Sequence, residues 1–211
     1  MTFAELKTEF FARGTDYLNE DSEGVARAER WLNQAYREIL NLHSWRFLQT
    51  SATGTASAGY VSIPDLRKIR FVVNTDAGSS PGQPLQRVSL DDLVRDGDTE
   101  SSPTGTPVYY YVDDSGGLPV VQSFPLGGTL KVYYIKRVGA MVGADDAPVF
   151  DEEYHNLIVD RAMIKAYVDS DNFEAAAALR QESNVGLSAM AEDYLLESRE
   201  VQFLSVSSYD G

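Results

Sequence analysis

Glu23–Leu42 reads EGVARAERWLNQAYREILNL, and its periodicity decides the first half of the fold. Val25, Ala28, Leu32, Ala35, Ile39 and Leu42 recur at intervals of three and four, so they lie along one stripe of a helix, with charge on the remaining surface. Upstream, Thr2 to Leu18 predicts a second amphipathic helix: Phe3, Leu6, Phe10 and Tyr17 share a side, and Thr2 followed by Glu5 is a capping box. Asn19 to Gly24 is the polar break between them.

Downstream of Trp45 the pattern changes. From Arg46 to Arg137, short β-branched and aromatic runs alternate with Gly, Pro, Ser and Asp clusters, as a strand meander requires. The runs predict strands at Arg46 to Thr53, Tyr60 to Ile63, Ile69 to Asn74, Pro107 to Val112, Leu118 to Gln122 and Thr129 to Lys136. Val88 to Arg95 predicts a short helix capped by Ser89, and Asp96 to Thr106 an exposed polar loop. The helical pattern returns after Pro148, with Asp151 as a cap and Tyr154, Leu157, Ile158, Ala162, Lys165 and Val168 along one side. A last helix is expected from Asp171, boxed with Glu174, towards Leu195 or Arg199; Gly186 inside it marks a bend or a close helix contact.

Helices, then strands, then helices give an α+β fold. The expected architecture is a helical bundle formed by N- and C-terminal helices, with an inserted antiparallel β-rich region and an extended C-terminal tail. By number, residues 1–45 are the N-terminal helices, 46–147 the insertion, 148–198 the C-terminal helices that pack with 1–45 as one domain, and 199–211 the tail.

Composition narrows the chemistry. The 211 residues carry no cysteine, which excludes disulfides, thiolate metal sites and a thiol nucleophile. Two histidines, His43 and His155, are too few for a histidine metal centre, and no EF-hand spacing occurs. No cofactor or metal is expected. The net charge of −14 opposes sequence-independent binding to DNA phosphates, which needs clustered Lys and Arg. A negative wall is instead the sign that lets DNA slide past without sticking. No run of about eighteen apolar residues occurs, so no membrane span is expected.

Each candidate chemical group has a structural reading that competes with the functional one. His43 ends the second helix, where the dipole favours it. Asp151, Glu153 and His155 resemble a carboxylate and histidine site, yet acids in a first helical turn are the ordinary dipole pattern. No G-x-S-x-G elbow accompanies the serines. Asp113, Asp114, Asp145 and Asp146 are paired carboxylates beside Gly or Pro, read as loop acids. Trp31, Tyr36 and Trp45, with Phe47, form an aromatic group read as core with an arginine rim. In the tyrosine strands 109–111 and 133–134, one alternate set is core and the other meets solvent or a neighbour. Catalytic residues are assigned to none of these. Trp31, Tyr36, Trp45, Tyr110 and Tyr134 are the candidate contacts to other subunits or the tail.

Taken together, TFAELKTEFFARG, RAERWLNQAYREILNLHSWRFL, YVSIPDLRKIRFV, PLQRVSLDDLVRD, GTPVYYYVDDSGGLPV, TLKVYYIKRV and DEEYHNLIVDRAMIKAY resemble, in order, the head-to-tail adaptor (head completion or connector) proteins of tailed bacteriophages. The resemblance implies a non-enzymatic virion protein made in the host cytoplasm. It implies a homo-oligomeric ring, usually of twelve copies, in the neck beneath the portal, receiving a tail or nozzle protein while DNA passes through without specific binding. It also implies a C-terminal extension that docks on the portal, a role that falls by position to Val201, Phe203, Leu204, Val206 and Tyr209. A tail-completion or baseplate protein, and a tail-associated hydrolase built on Asp151, Glu153 and His155, are the alternative readings.

Overall fold

The structure is a computed structural model, and it describes residues 1–14, 21–54, 60–76, 84–91, 105–114 and 116–195. The fold is α+β. The chain divides into a helical unit of residues 1–47 and 139–211 and a β unit of residues 48–138. Residues 139–147 therefore group with the helices.

Four helices build the first unit: α1 (Phe3–Gly14), α2 (Ser22–Leu42), α3 (Asn156–Asp169) and α4 (Phe173–Leu195). The start of α1 is the expected capping box, with Thr2 N donating to Glu5 Oε2 at 2.7 Å and Glu5 N to Thr2 Oγ1 at 3.3 Å. Helix α1 is described to Gly14; the remainder of the stretch expected to Leu18 lies outside the described residues. Helix α2 starts where Asp21 accepts from Gly24 N at 2.8 Å, and it buries Ala28, Leu32, Ala35, Tyr36, Ile39 and Leu40. Leu42, the last member of the expected stripe, is exposed.

Helix α3 lies at the centre, in contact with α1, α2 and α4. Accordingly it buries Leu157, Ile158, Val159, Ala162, Met163, Ile164 and Ala166, more than one face's worth, because a helix with neighbours on several sides loses its polar stripe. Val168 is exposed and Lys165 half-buried, so both depart from the expected apolar side.

The caps of the C-terminal helices differ from expectation. Asp151 makes no side-chain cap bond and precedes a 3-10 turn, Glu152–Tyr154, before α3 begins. For α4 the capping side chain is Asn172, whose Oδ1 accepts from Ala175 N at 3.3 Å; Asp171 instead takes the left-handed conformation, φ 57°. The tight turn explains the one-residue shift: Asp171 N and Asn172 N bond back to Val168 O and Tyr167 O, which only a left-handed residue at 171 allows. Gly186 does mark a close helix contact. A Cβ there would stand 2.5 Å from Leu157 Cδ2, so α3 and α4 pack closely enough that any larger residue would have to displace the Leu157 side chain.

The second unit is a β-sandwich. One sheet has the order β1-β7-β3 and the other β2-β6-β5-β4, with β1 Gln49–Gly54, β2 Tyr60–Ser62, β3 Leu66–Asn74, β4 Gln86–Arg87, β5 Tyr109–Asp113, β6 Val120–Phe124 and β7 Leu130–Lys136. All pairings are antiparallel except β4 with β5. Strand β4 was not expected, and the first expected strand begins three residues late because Arg46–Leu48 forms a 3-10 turn. Of the expected helix over Val88 to Arg95, residues 92–95 lie outside the described residues, as do 96–104 of the loop after it. Val61, Ile63, Val72, Tyr110, Val121, Leu130, Val132 and Tyr134 meet between the sheets as the core.

Candidate functional site

The acid and histidine cluster is held by the chain's own backbone. His155 is buried, its Nε2 is 2.9 Å from Phe150 O and its Nδ1 is 2.8 Å from the Met1 amino group. Burial is the main force lowering the His155 pKa. Both ring nitrogens are thus engaged, and neither is presented to a cleft. Glu152 accepts from the Met1 amine at 2.9 Å, a bond that holds its carboxyl below the usual range. Asp151 accepts the Tyr194 hydroxyl at 2.6 Å, and Tyr154 donates to Asp193. These bonds, added to burial, push Tyr194 up to about 12 and raise Tyr154 as well. Glu153 is exposed. The arrangement ties the start of α3 to the end of α4; it contains no nucleophile beside a base. Among the described residues no group of three or more His, Asp or Glu is placed to hold a metal ion, and no helix is long and apolar enough to cross a membrane.

The candidate contact aromatics divide. Tyr36 and Trp45 lie inside the helical unit at 1% and 0% exposure: the Tyr36 hydroxyl accepts from Val149 N at 3.2 Å, and Trp45 Nε1 donates to Ile39 O at 2.7 Å. Burial raises the Tyr36 pKa. Tyr110 and Tyr134 belong to the sandwich core. The Tyr134 hydroxyl donates to Asp65 at 2.9 Å and is pushed up to about 12, first by burial and then by that carboxylate. These four fill their own fold: Tyr36, Tyr110 and Tyr134 sit on the inward phase of their helix or strand, and Trp45 turns inward from the link between α2 and the 3-10 turn. His43 likewise makes no cap bond; its backbone is extended and its ring meets Trp45 edge-on at 4.9 Å.

The outward phase carries the accessible aromatics. Tyr109 and Tyr111 flank Tyr110 on the opposite face of β5. Register places Tyr60 and Tyr111 on either side of Gln122, and Tyr109 beside Phe124. Tyr60 is exposed. On the other sheet Phe71 stacks on Tyr133 at 4.4 Å, with Lys131 Nζ 4.9 Å from the Tyr133 ring.

Trp31 alone of the candidate set borders an accessible groove. The groove has a volume of about 590 Å³ and runs between α2, α3 and α4; Trp31, Ile164 and Val168 line it together with three cations, Arg161, Lys165 and Arg180, and two acids, Glu38 and Asp169. Lys165 pairs with Glu38 at 2.6 Å, and Arg161 donates to Ser183 at 3.1 Å and Asn184 at 2.8 Å. Sequence reasoning passed over these cations. The signal was present as Arg161 and Lys165 one helical turn apart; Arg180 joins them only through the packing of α4 on α3. Val201, Phe203, Leu204, Val206 and Tyr209 lie outside the described residues.

Every buried side-chain polar atom among the described residues finds a partner, as in folded proteins generally, and the accessible aromatic faces and the charged groove lie outside that interior. The chain belongs to the SU10 adaptor protein family, whose profile matches residues 1–202. It is thus a structural adaptor of bacteriophages and a component of the virion. None of the curated proteins matches it.

Proposed function

We propose that this chain is a head-to-tail adaptor, a non-enzymatic protein that assembles as a ring beneath the portal, joins the capsid to the tail and lines the channel through which DNA passes. The family match over residues 1–202 carries the reading. The distribution of charge supports it. The helical unit holds 23 acidic and 10 basic residues, and the β unit 9 and 8. A channel wall of one negative sign repels phosphate at every position and gives DNA no place to stop. The helical unit is the part with that character.

In this reading Val201, Phe203, Leu204, Val206 and Tyr209 dock on the portal. Apolar side chains this close together in a polar tail gain most when a partner covers them, and ordering on the portal ties assembly to the portal's presence. Removing residues 199–211 should leave circular dichroism unchanged and abolish co-sedimentation with portal. Retained co-sedimentation would refute the tail's role. Electron microscopy of the full chain mixed with portal should show a ring below it; a ring found only on an isolated tail or baseplate component would favour the tail-completion reading.

A further inference from the structure

We propose that successive copies of this chain meet head to tail, the Val142 loop of one copy seating in the groove beside Trp31 of the next, with Asp145 facing Arg180. The contact rests on the ring reading and gives it a surface.

The donor side is a rigid knob. Val142 is 84% exposed, more than any other large apolar side chain described. Exposure of that degree on a mobile loop would mean little, but this loop is pinned at several points. The Asp146 carboxylate accepts from Val142 N at 2.7 Å and Gly143 N at 2.8 Å; Phe3 N donates to Asp146 O at 2.6 Å and Ala4 N to Ala144 O at 3.0 Å. Asn33 on α2 grips Met141 from both sides, donating to its carbonyl at 3.0 Å and accepting from its N–H at 2.8 Å. The cost of ordering the loop is already met in the free chain, which leaves the burial of Val142 available to binding. Exposed Asp145 adds one charge beside it.

The acceptor side has the opposite character. The segment from Gly139 to the end holds 15 acids and four bases, Arg161, Lys165, Arg180 and Arg199. The first three all line the groove, beside Trp31, Ile164 and Val168. The three cations outnumber the two acids on the same lining, Glu38 and Asp169, so within a chain of net charge −14 the groove keeps a local positive excess that suits a single acid from a second copy. A phosphate backbone fits less well, because it needs clustered cations and Glu38 and Asp169 share this lining.

Knob and groove also lie on different flanks of one helix. At 3.6 residues per turn, Asn33 projects from α2 about 130° away from the mean direction of Trp31, Gln34 and Glu38. A loop fixed to one flank and a groove on another make a heterologous contact, which repeats from copy to copy and closes into a ring when the rotation permits.

The test uses the full chain, portal and electron microscopy, with the ring count per portal as the readout and circular dichroism confirming each fold. Val142→Asp should reduce rings on portal about tenfold or more, and so should Asp145→Arg or Arg180→Asp alone. An equal mixture of the last two should restore rings to within about threefold of the original chain. Copies alternating around the ring then oppose the two exchanged charges at one junction and the original Asp145 and Arg180 at the next, so every junction is attractive. Rings undiminished in the single variants overturn this contact and leave the adaptor reading standing; so does a mixture that forms none. If Arg180→Asp removes retardation of duplex DNA and leaves rings intact, the groove is a nucleic-acid site and the contact is wrong. An original chain that makes no ring on portal removes the adaptor reading, and the contact with it.

Discussion

The helical unit and the sandwich solve different problems within one chain. The helical unit carries more than two acids for every base, and its polar groups are spent on pinning: Asp146 holds a loop, Asp151 and Asp193 hold tyrosines, Asn33 holds a backbone turn. The sandwich is nearly neutral and relies on strand register and eight interleaved core residues. The difference teaches that net charge in this protein is a property of one unit. Stability there comes from buried aromatics and directed hydrogen bonds, since ion pairs such as Lys7–Glu29, Arg13–Glu9 and Arg27–Glu23 lie at or near the surface and each contributes little.

Both tryptophans, Trp31 and Trp45, fall in the helical unit, so tryptophan fluorescence reports that unit alone and amide exchange of β7 reports the other. The largest expected effect is from Trp45→Ala, which removes a side chain of 0% exposure stacked on Phe47: about 3–5 kcal/mol lost in urea unfolding followed through Trp31, with β7 exchange rates unchanged. Faster exchange in β7 with no change at Trp31 would contradict the division; matching acceleration of β7 exchange would merge the two units into one cooperative block. Gly186→Leu comes next, at about 1–3 kcal/mol in the same assay, because its first carbon meets Leu157. Tyr134→Phe tests the sandwich from its own side. Losing the bond to Asp65 should cost about 1.5 kcal/mol and appear in β7 exchange, while the tryptophan signal stays in place.

The smallest effect is on pH dependence. Burial lowers the pKa of His155 in the folded protein, so the unfolded chain binds that proton more readily. The stability this group gives is complete above its unfolded pKa, about 6.5, and declines as pH falls through that value towards the folded one. Asp146 and Glu152 are also held low, but they release their contribution only in the carboxylate range, well below. His155→Gln should therefore flatten the slope of tryptophan-detected stability just below about pH 6.5 and leave the acid limb unchanged.

Much of this organisation is visible in the sequence, and the exceptions have physical causes. The α2 stripe and the Thr2–Glu5 box were legible because each depends on neighbours within one or two turns. Gly186 was legible as a bend or a close contact, because a glycine inside a helix costs about 1 kcal/mol relative to Ala; the packing on Leu157 shows the contact. The tyrosine strands show a limit of another kind. A period of two identifies alternate faces but not which faces inward, and here Tyr110 and Tyr134 took the interior while Tyr109, Tyr111 and Tyr133 faced out. Strand β4 has two residues and no pattern to show. Asn172 outcompeted Asp171 as the α4 cap because the preceding turn consumed Asp171's backbone, a constraint set by α3 rather than by the capping pair. The cation groove needs three helices in place before it exists, so spacing along any one of them says little.

The Asn33 clamp on Met141 has a consequence for substitution. Towards Met141 its amide behaves as a detached peptide group, presenting one N–H and one carbonyl oxygen, while its other N–H donates to Glu29 O at 3.1 Å. Aspartate keeps the acceptor and loses the donor; leucine keeps the shape and loses both. Glutamine has both, one methylene too far out. Where the chain leaves the sandwich and turns back towards its last two helices, the route is therefore spelled by a single letter 108 residues earlier, and that letter has no synonym.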